Sequence, residues 1–355
     1  MDLARLLPLI GPASAALARF DGVLSAVPNA NVLLSPLTTQ EAVLSSKIEG
    51  TQATLGEVLE FEAGDESQSE SKRADIVEIL NYRAAMHGAV KAMQTLPLSQ
   101  RVLRKAHRTL MQGVRGRNKS PGEYRKGSNW IGPEGSPVEM ARFVPPGADR
   151  VPVAMSAWEK FLHADASDRL IQLSVLHAEF EAIHPFWDGN GRLGRLLVPL
   201  FLVDKGILSK PTFYISAYLE AHREEYYDRL LRVSRDDDWT GWCEFFLTAI
   251  REQAKANHAK GKAILDLHAR LKEEIVELTH SQYATKALDW FFSRPIFALK
   301  TFVETSGIPE PTARRIAKLA TDDGILKVIR MGSGRRSTRF RFPALLDITE
   351  RDKTE

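Results

Sequence analysis

Cysteine is nearly absent from this chain of 355 residues, which contains Cys243 and no other. A single cysteine excludes a disulfide framework within the chain and a metal site made of several thiolates. Both features are typical of proteins from a reducing compartment, so we expect the protein to be cytoplasmic.

Long apolar runs are also scarce. No stretch approaches the roughly 20 apolar residues of a membrane-spanning helix, and we expect no membrane contact. The first twenty residues resemble a secretory signal only superficially, because Asp2 stands against Arg5, and Pro8 and Gly11 interrupt the apolar stretch. We therefore interpret this segment as an ordinary first helix.

Charge is distributed unevenly. The net charge is only +3, but residues 285–345 contain twelve basic and five acidic side chains, a net charge of +7. The rest of the chain therefore carries −4. A basic terminal segment on a mildly acidic body indicates an anionic partner, and contact of residues 285–345 with DNA or with a protein is left open.

Helical periodicity predicts a mainly α fold. Apolar residues recur at helical spacing on both sides of residues 184–195, and Thr38–Ile48 has the pattern of a helix that ends before Gly50. We divide the chain into an N-terminal helical region at 1–95, a core at 96–252, a helical linker at 253–284 and a C-terminal domain at 285–345.

The C-terminal domain has three short helical segments, the third over Pro311–Asp323, followed by ILKVIR, a glycine-containing loop and RFRF. In RFRF, basic and aromatic residues alternate with the period of a half-buried strand. This order of helices and hairpin predicts a winged helix-turn-helix domain. Its third helix carries Arg314, Arg315 and Lys318 and is the expected contact with DNA.

Two segments break the helical pattern. Ala63–Asp75 is polar and poor in apolar residues, so we expect a mobile loop. Pro121–Pro146 is rich in glycine and proline and predicts a β-hairpin or an extended flap.

One short segment concentrates reactive side chains. It reads IHPFWDGNGRLGR, covers residues 183–195 and directly follows an apolar helix. Gly189 and Gly191 on either side of Asn190 permit positive φ angles, so consecutive backbone N–H groups can point into one concavity. The positive end of the helix that follows adds to this anion site.

Cationic and acidic side chains flank this anion site. Arg192 and Arg195 lie three residues apart, so both guanidinium groups can reach the same phosphate. A carboxylate beside phosphates is favourable when a hard cation lies between them, so we expect Asp188 to bind Mg²⁺. His184, with an unperturbed pKa of roughly 6.5, is expected to accept a proton from an incoming hydroxyl.

Two other chemistries do not fit this segment. It lacks the GK[ST] ending of a P-loop. A zinc site is also disfavoured, because the segment offers only His184 and Asp188 as ligands.

HPFWDGNGRLGR is similar to the signature of the Fic family, H-P-F-x-D/E-G-N-G-R-x-x-R, at every specified position. The resemblance implies a Fic-type helical core with a β-hairpin flap that binds Mg-ATP and transfers AMP to a protein hydroxyl. It implies that His184 is the catalytic base and Asp188 the Mg²⁺ ligand. The residues that it implies for phosphate binding, with Arg195 at the γ-phosphate, are Gly189, Asn190, Gly191, Arg192, Leu193, Gly194 and Arg195.

A second segment, SSKIEG at residues 45–50, is similar to the inhibitory motif [ST]-x-x-x-E-[GN] of the same family. Ser45 and Glu49 lie four residues apart on one helix face. We expect Glu49 to pair bidentately with Arg195 and so to remove the γ-phosphate clamp. ATP would then bind with its α-phosphate misplaced for in-line attack.

The resemblance is looser elsewhere. Tyr226 and Tyr227 resemble the family's tyrosines near the adenine, and packing in the core is the equal alternative for either one. The flap resembles the family's target-docking flap, which would hold an incoming segment by strand pairing. The docking residues that the resemblance implies are Asn129, Trp130, Ile131 and Gly132.

Two functions follow from the sequence. The first is an autoinhibited protein adenylyltransferase that moves AMP from Mg-ATP to a Ser, Thr or Tyr hydroxyl, with removal of AMP as a further activity that Glu49 permits. The alternative is a nucleotide-sensing, DNA-binding transcriptional regulator, which the basic C-terminal domain favours. The target protein and the oligomeric state, including a homodimer, stay open at this level.

Overall fold

The computed structural model describes residues 1–26, 29–65, 69–113, 118–132, 137–334 and 336–350. Within these residues the chain is predominantly helical, which confirms the predicted mainly α fold. Parts of the predicted loop, flap and wing lie outside the described residues. The α-helices are α1 (Leu3–Ala26), α2 (Ala30–Leu33), α3 (Ser35–Ile48), α4 (Leu55–Glu62), α5 (Glu70–Met93), α6 (Gln100–Leu110), α7 (Val151–His163), α8 (Arg169–Ile183), α9 (Asn190–Asp204), α10 (Ser216–Ala221), α11 (Arg223–Asp236), α12 (Trp239–Thr279), α13 (Ala284–Ser293), α14 (Leu299–Thr305), α15 (Glu310–Asp322) and α16 (Pro343–Glu350).

Helix α12 is the longest element and connects the core with the C-terminal domain. It runs for 41 residues without a break, so the predicted boundary at residue 252 falls inside it. Its buried stripe continues through Ile264, Leu271 and Ile275, because the apolar period of the sequence does not change at the boundary. The division into four domains stays a prediction.

Helix α1 packs along α12 and buries Leu6, Leu17 and Phe20. By length and composition, Leu3–Ser25 could span a membrane, so the statement that no segment approaches this length was wrong. Pro8 lies inside α1 and does not end the helix, and the apolar stretch is therefore longer than its prolines suggest. Core helices of soluble proteins meet the same length criterion, so this finding assigns no location.

The C-terminal domain is consistent with the predicted winged helix-turn-helix. Helices α13, α14 and α15 lie close to the predicted helical segments. Three antiparallel strands, β1 (Ile296–Ala298), β2 (Lys327–Arg330) and β3 (Arg339–Arg341), form a sheet in the order β1-β3-β2. The sequence did not predict β1 or α16, because three- and eight-residue elements are too short to show a period.

The C-terminal domain packs directly against the N-terminal helical region. Helices α13 and α16 contact α3, and β1 contacts α4. A small apolar cluster joins α4 to β1 and α16, and its members are Leu55, Leu59, Ala63, Ile296 and Leu346. Helix α4 itself begins with a capping box in which Thr54 and Glu57 bond each other's backbone N–H groups.

A buried carboxyl group anchors α3. Glu41 accepts hydrogen bonds from the hydroxyl and the backbone N–H of Ser216 at 2.6 and 3.0 Å, and Tyr82 donates to it at 3.4 Å. Burial raises the pKa of Glu41 to about 7. Because Glu41, Ser45 and Glu49 are spaced by four residues, this anchor sets the rotation of the helix face that carries the other two.

The raised pKa of Glu41 predicts a pH-dependent stability. Its carboxyl group, with an unfolded pKa of 4.5 and a folded pKa near 7, stabilises the fold fully below pH 4.5 and loses that contribution as the pH rises to 7. We expect Glu41→Gln, which cannot ionise, to lose less stability than wild type across this interval. The slope of the difference should be at most roughly 1.4 kcal/mol per pH unit.

Urea unfolding at several pH values measures this difference. Glu60→Gln on α4 is the matched control, and its curve should run parallel to that of wild type. Parallel curves for wild type and Glu41→Gln would contradict the buried, protonated state of Glu41.

Candidate active site

His184 stands at the carboxyl end of α8. Its backbone adopts a left-handed conformation (φ 48°), and its N–H donates to the carbonyl of Phe180, which ends the helix and turns the chain. Burial lowers the pKa of His184 to about 4, against the unperturbed value of 6.5 that the sequence suggested. The imidazole is therefore neutral near pH 7 and can accept a proton.

The loop after His184 is closed by the side chain of Asn190. The Asn190 amide accepts from the backbone N–H of Phe186 and donates to its carbonyl, both at 2.9 Å. Asn190 is thus committed to shaping the loop, and only its backbone N–H is left for a ligand. Gly189 takes the positive φ of 76° that this turn requires.

Gly191 and Gly194 both lie within α9, and their predicted part in phosphate binding stays a prediction. Gly191 was expected to adopt a positive φ, but it lies within the first turn of α9. A Cβ atom at Gly191 would overlap Oε1 of Glu49, and one at Gly194 would overlap Oε1 of Glu181. These two glycines leave room for carboxylate groups, which is a packing requirement that a turn pattern does not reveal.

Arg195 joins the two motifs, although about 150 residues separate them. The Arg195 side chain is fully buried, and its Nε donates to the Ser45 hydroxyl at 2.9 Å. Its Nη2 donates to the Ser45 carbonyl at 2.8 Å and to Glu49 Oε1 at 2.6 Å. The expected bidentate pair with Glu49 is therefore a single contact, made by the same Nη2 that also donates to the Ser45 carbonyl.

Both members of this pair are ionised. Burial favours the neutral form of Glu49, but attraction to Arg195 outweighs it and holds the pKa of Glu49 below its usual value. Burial likewise opposes the charge of Arg195, and Glu49 raises the pKa of the guanidinium above its usual range. The contact is a charge-assisted hydrogen bond, which is stronger than one between neutral groups.

Arg192 contacts two carboxylate groups. Its Nη1 lies 3.0 Å from Glu78 Oε2 of α5, and its Nη2 lies 3.4 Å from Asp188 Oδ1. The sequence pattern did not reveal Glu78, because it lies 114 residues away along the chain. Its Nε has no hydrogen-bond partner among the described residues, and the predicted phosphate contact of Arg192 stays a prediction.

Asp188 is the only predicted metal ligand of the segment, and its side chain is partly exposed. Its Oδ1 accepts from the backbone N–H of Gly189. Across the described ranges, no group of three His, Cys, Asp or Glu side chains is arranged to hold a metal ion. One carboxylate fits Mg²⁺ that also has phosphate oxygens and water as ligands.

Two residues that the sequence did not predict hold the site together. His107 accepts from the backbone N–H of Gly122 through Nδ1 at 2.8 Å, so its Nε2 donates to the Asp188 carbonyl at 2.9 Å. Arg125, which is buried, donates from Nε to the His184 carbonyl at 2.9 Å. Neither residue belongs to a recognisable motif, and only the fold brings them to the loop.

Among its described residues the flap has one antiparallel bridge, Ile131 with Phe143, where the sequence predicted a β-hairpin or an extended flap. A longer ladder would need backbone N–H groups that Pro145 and Pro146 lack, and these prolines begin two residues after Phe143. Asn129 donates to the Phe186 carbonyl at 3.4 Å. Trp130 and Gly132 are exposed beside it, and residues 133–136 of the predicted flap lie outside the described residues.

The two tyrosines occupy different environments. Tyr227 lines a pocket of about 80 Å³, together with Ile131 and Phe143 of the flap and with Glu181. Tyr226 is fully buried and its hydroxyl bonds His177 at 2.9 Å. Tyr226 thus has the core packing that was the equal alternative for either tyrosine, because neighbouring residues on a helix point about 100° apart, and its place near an adenine stays a prediction.

Glu181 is a further residue of this pocket that the sequence did not predict. It lies one turn before His184 on α8, and its Oε1 has no hydrogen-bond partner in the described part of the chain. Burial raises the pKa of Glu181 to about 8, so the carboxyl group is mainly protonated at pH 7. A protonated carboxyl group is able both to donate and to accept.

Both segments lie in regions that match models of a known protein family. Residues 7–91, which include Ser45 and Glu49, match the N-terminal domain of the Fic/DOC family, and residues 97–202, which include His184 and Arg195, match the Fic/DOC family domain itself. The chain belongs to the Fic family.

Two curated relatives illustrate the similarity. A probable protein adenylyltransferase of Aquifex aeolicus is 27% identical over 198 residues, which are 54% of this chain and 56% of that protein. A protein adenylyltransferase Fic of Culex quinquefasciatus is 32% identical over 120 residues, which are 33% of this chain and 21% of that protein. The chain thus spans about half the length of the first relative and about a fifth of the second.

Solved structures support the fold. A Fic family protein from Desulfovibrio desulfuricans G20 superposes with a TM-score of 0.62 at 22% identity, covering 96% of this chain and 97% of that one. A Fic domain-containing signaling protein from Bacteroides thetaiotaomicron has a TM-score of 0.56 at 16% identity, covering 71% of this chain and 97% of that one. At these identities the likeness concerns the fold alone.

Proposed function

We propose that this protein transfers AMP from ATP to a hydroxyl side chain of another protein. The observation that carries the proposal is one site that combines the neutral imidazole of His184, the Gly189 turn at the start of α9 and the buried Arg195. The curated relatives named as protein adenylyltransferases support the same reaction.

The reaction assigns a role to each group. The target hydroxyl attacks the α-phosphorus, the bond to the bridging oxygen breaks, and pyrophosphate leaves. His184 takes the hydroxyl proton, and the negative charge of a bound triphosphate would raise its low pKa toward a value suited to this step. The backbone N–H groups at Gly189, Asn190 and Gly191 would hold phosphate oxygens.

Asp188 would hold Mg²⁺ that enters with ATP, and the ion would neutralise charge on the phosphates. Tyr227 and the flap would enclose the adenine, since they line the pocket next to the site. The backbone at Ile131 would pair with an extended segment of the target. Asn129 and its bond to the Phe186 carbonyl tie the flap to the catalytic loop.

We further propose that the protein is autoinhibited. Glu49 and Ser45 hold Arg195, so this guanidinium cannot reach a γ-phosphate until Glu49 moves. A triphosphate bound without this contact would lie with its α-phosphate out of line for attack. The ionised carboxylate of Glu49 could instead orient a water molecule that removes AMP from a modified target.

Labelled ATP tests the reaction directly. The protein is incubated with Mg²⁺ and with ATP labelled in either the α- or the γ-phosphate, and labelled protein is detected on a denaturing gel. We expect protein labelling from the α-label and none from the γ-label, because only the adenylyl group is transferred. Labelling from the γ-phosphate would indicate phosphoryl transfer and would contradict the proposal.

An inhibited enzyme is expected to label only weakly, so the experiment also needs a variant with a higher expected labelling rate. The same pair of labels is therefore also used with Glu49→Gly. Absence of α-label from the protein in both forms, with ATP binding demonstrated, would count against adenylyl transfer.

A further inference from the structure

A solvent-open cleft separates the wing of the C-terminal domain from the residues that follow α4. It has an empty volume of about 1180 Å³ and does not share a lining residue with the Tyr227 pocket. We call it the junction cleft and define it by Gly64, Asp65, Lys300, Arg330, Arg336 and Arg339.

Two arginines face each other across the sheet of the cleft. Arg330 of β2 pairs in register with Arg339 of β3. Like charges directly opposite each other on a sheet destabilise it unless something neutralises them. Arg339 is neutralised, because it lies 3.1 Å from Asp65 and donates to the Gly64 carbonyl at 2.7 Å.

Arg330 is not neutralised in this way. Within the described ranges, the side chains of Arg330 and Arg336 have no hydrogen bond or ion pair. Lys300 has only a surface contact of 3.8 Å with Glu304 on its own helix, and such contacts stabilise little. The cleft therefore presents three basic side chains available to a ligand, and Asp65 is already paired with Arg339.

The predicted recognition helix provides a contrast. On α15, Arg314 lies 2.8 Å from Glu310, and Arg315 donates to the carbonyl of Thr279 at 2.9 Å. Two of the three cations expected to contact DNA there are engaged within the protein. At the cleft, by contrast, the only such contact of Arg330, Arg336 and Lys300 within the described ranges is the 3.8 Å one of Lys300.

We propose that the junction cleft binds a phosphate-bearing ligand, either a free polyphosphate or the phosphodiester backbone of a nucleic acid. Guanidinium groups match the spacing of phosphate oxygens and bond them in pairs, and Lys300 adds a point charge. A phosphate beside Arg330 would give it the anionic partner that Asp65 already provides for Arg339. The ligand would lie beside the segment that leads through α4 back to the 45–50 motif.

The test measures binding by the full-length protein and does not depend on adenylyl transfer. Inorganic tripolyphosphate is titrated by calorimetry, and a short labelled DNA duplex is followed by fluorescence anisotropy, both at low salt. We expect at least one probe to bind, with an affinity that falls as salt rises. The Arg330→Ala/Arg336→Ala double variant should weaken that binding by about tenfold or more, since two charge-assisted contacts with phosphate are lost.

A matched control carries the same loss of two positive charges elsewhere. Arg314→Ala/Lys318→Ala on α15 should retain the affinity of wild type. Tripolyphosphate bound at the active site would be unaffected by the cleft variant, so only the difference between wild type and that variant reports on the cleft. Binding of DNA alone would identify a nucleic-acid backbone as the ligand, and binding of tripolyphosphate would identify a free phosphate compound.

Three results would overturn the proposal. They are absence of binding by both probes, equal binding by wild type and the cleft variant, and an equal loss in the α15 control. A melting curve provides an independent check, because Arg330→Ala removes a guanidinium group that has no hydrogen bond or ion pair within the described ranges and should not lower the melting temperature without ligand. A clear decrease would show that Arg330 already has a partner, which would also contradict the proposal.

Discussion

Replacing Glu49 with glycine is expected to increase α-phosphate labelling of the protein, or of a target, by roughly 100-fold over wild type. The reason is geometric: the variant frees Arg195 for the γ-phosphate, and a misplacement of the reacting atoms by about 1 Å costs on the order of 10²-fold in rate. Glu49 stands after the last residue of α3 with a negative φ, so glycine is accommodated there without a change of backbone conformation. Quantitative gel labelling over time measures the initial rates.

The control for charge is Glu49→Gln, which keeps the side-chain length and removes the ion pair. It should show an intermediate rate, because a neutral amide binds the guanidinium less strongly. Arg195 keeps its two contacts with Ser45 in either variant. We also expect ATP to raise the melting temperature of Glu49→Gly more than that of wild type, since a γ-phosphate can then replace the lost carboxylate.

Equal initial rates for wild type and Glu49→Gly would contradict autoinhibition. If the variant bound ATP more tightly without faster labelling, Glu49 would affect binding alone. Neither outcome would decide whether the protein transfers AMP, because the comparison of α- and γ-labelled ATP tests that reaction separately.

Removing the imidazole of His184 is expected to reduce the labelling rate by about 10²- to 10⁴-fold, the usual contribution of a general base. The substitution His184→Ala is best made in the Glu49→Gly background, where the starting rate is high enough to measure such a loss. ATP binding should be retained, because the backbone N–H groups and Arg195 do not depend on the imidazole. A melting curve shows whether the variant is folded.

The low pKa of His184 adds a pH profile to this prediction. The imidazole accepts a proton only in its neutral form, which prevails above a pKa of about 4 in the unliganded protein. The labelling rate of the Glu49→Gly enzyme should therefore fall on the acidic side, at a pH set by His184 in the presence of ATP. His163→Ala, a surface histidine on α7, is the control and should leave both the rate and the profile unchanged.

If His184→Ala labelled as fast as its Glu49→Gly parent, another group would have to accept the proton of the target hydroxyl. Glu181 is the nearest alternative by position, one turn earlier on α8. Its raised pKa of about 8 makes it a poor acceptor at pH 7, because most of it already carries a proton.

Much of the site could be predicted because its chemistry is local in the chain. His184, Asp188 and the turn at Gly189 lie within a few residues, and a helix end followed by a glycine turn and a helix start has only a few conformations. Asn190 illustrates the limit of such reasoning. Its backbone position was predicted. The two hydrogen bonds of its side chain with the backbone of Phe186 were not, because the two residues come together only once the turn has formed.

The pairing of Arg195 with the 45–50 segment was also expected from the sequence, through two motifs of one family. The form of the contact was not. Ser45 takes Nε and shares Nη2, which leaves Glu49 a single bond. Hydrogen-bond geometry is decided by the approach of α3 to α9, and Glu41 with Ser216 determines that approach from the opposite side.

The sequence by itself determined the family, the mainly helical fold and the thirteen-residue segment that carries the candidate chemistry, because periodicity and turn residues act over short distances. The tertiary structure alone decided which of two adjacent tyrosines lines the pocket, that Arg192 faces Glu78, and that His107 and Arg125 support the loop. It also decided the ionisation of His184, Glu181 and Glu41. These properties depend on desolvation and on partners far away in the chain, and both arise only when helices pack.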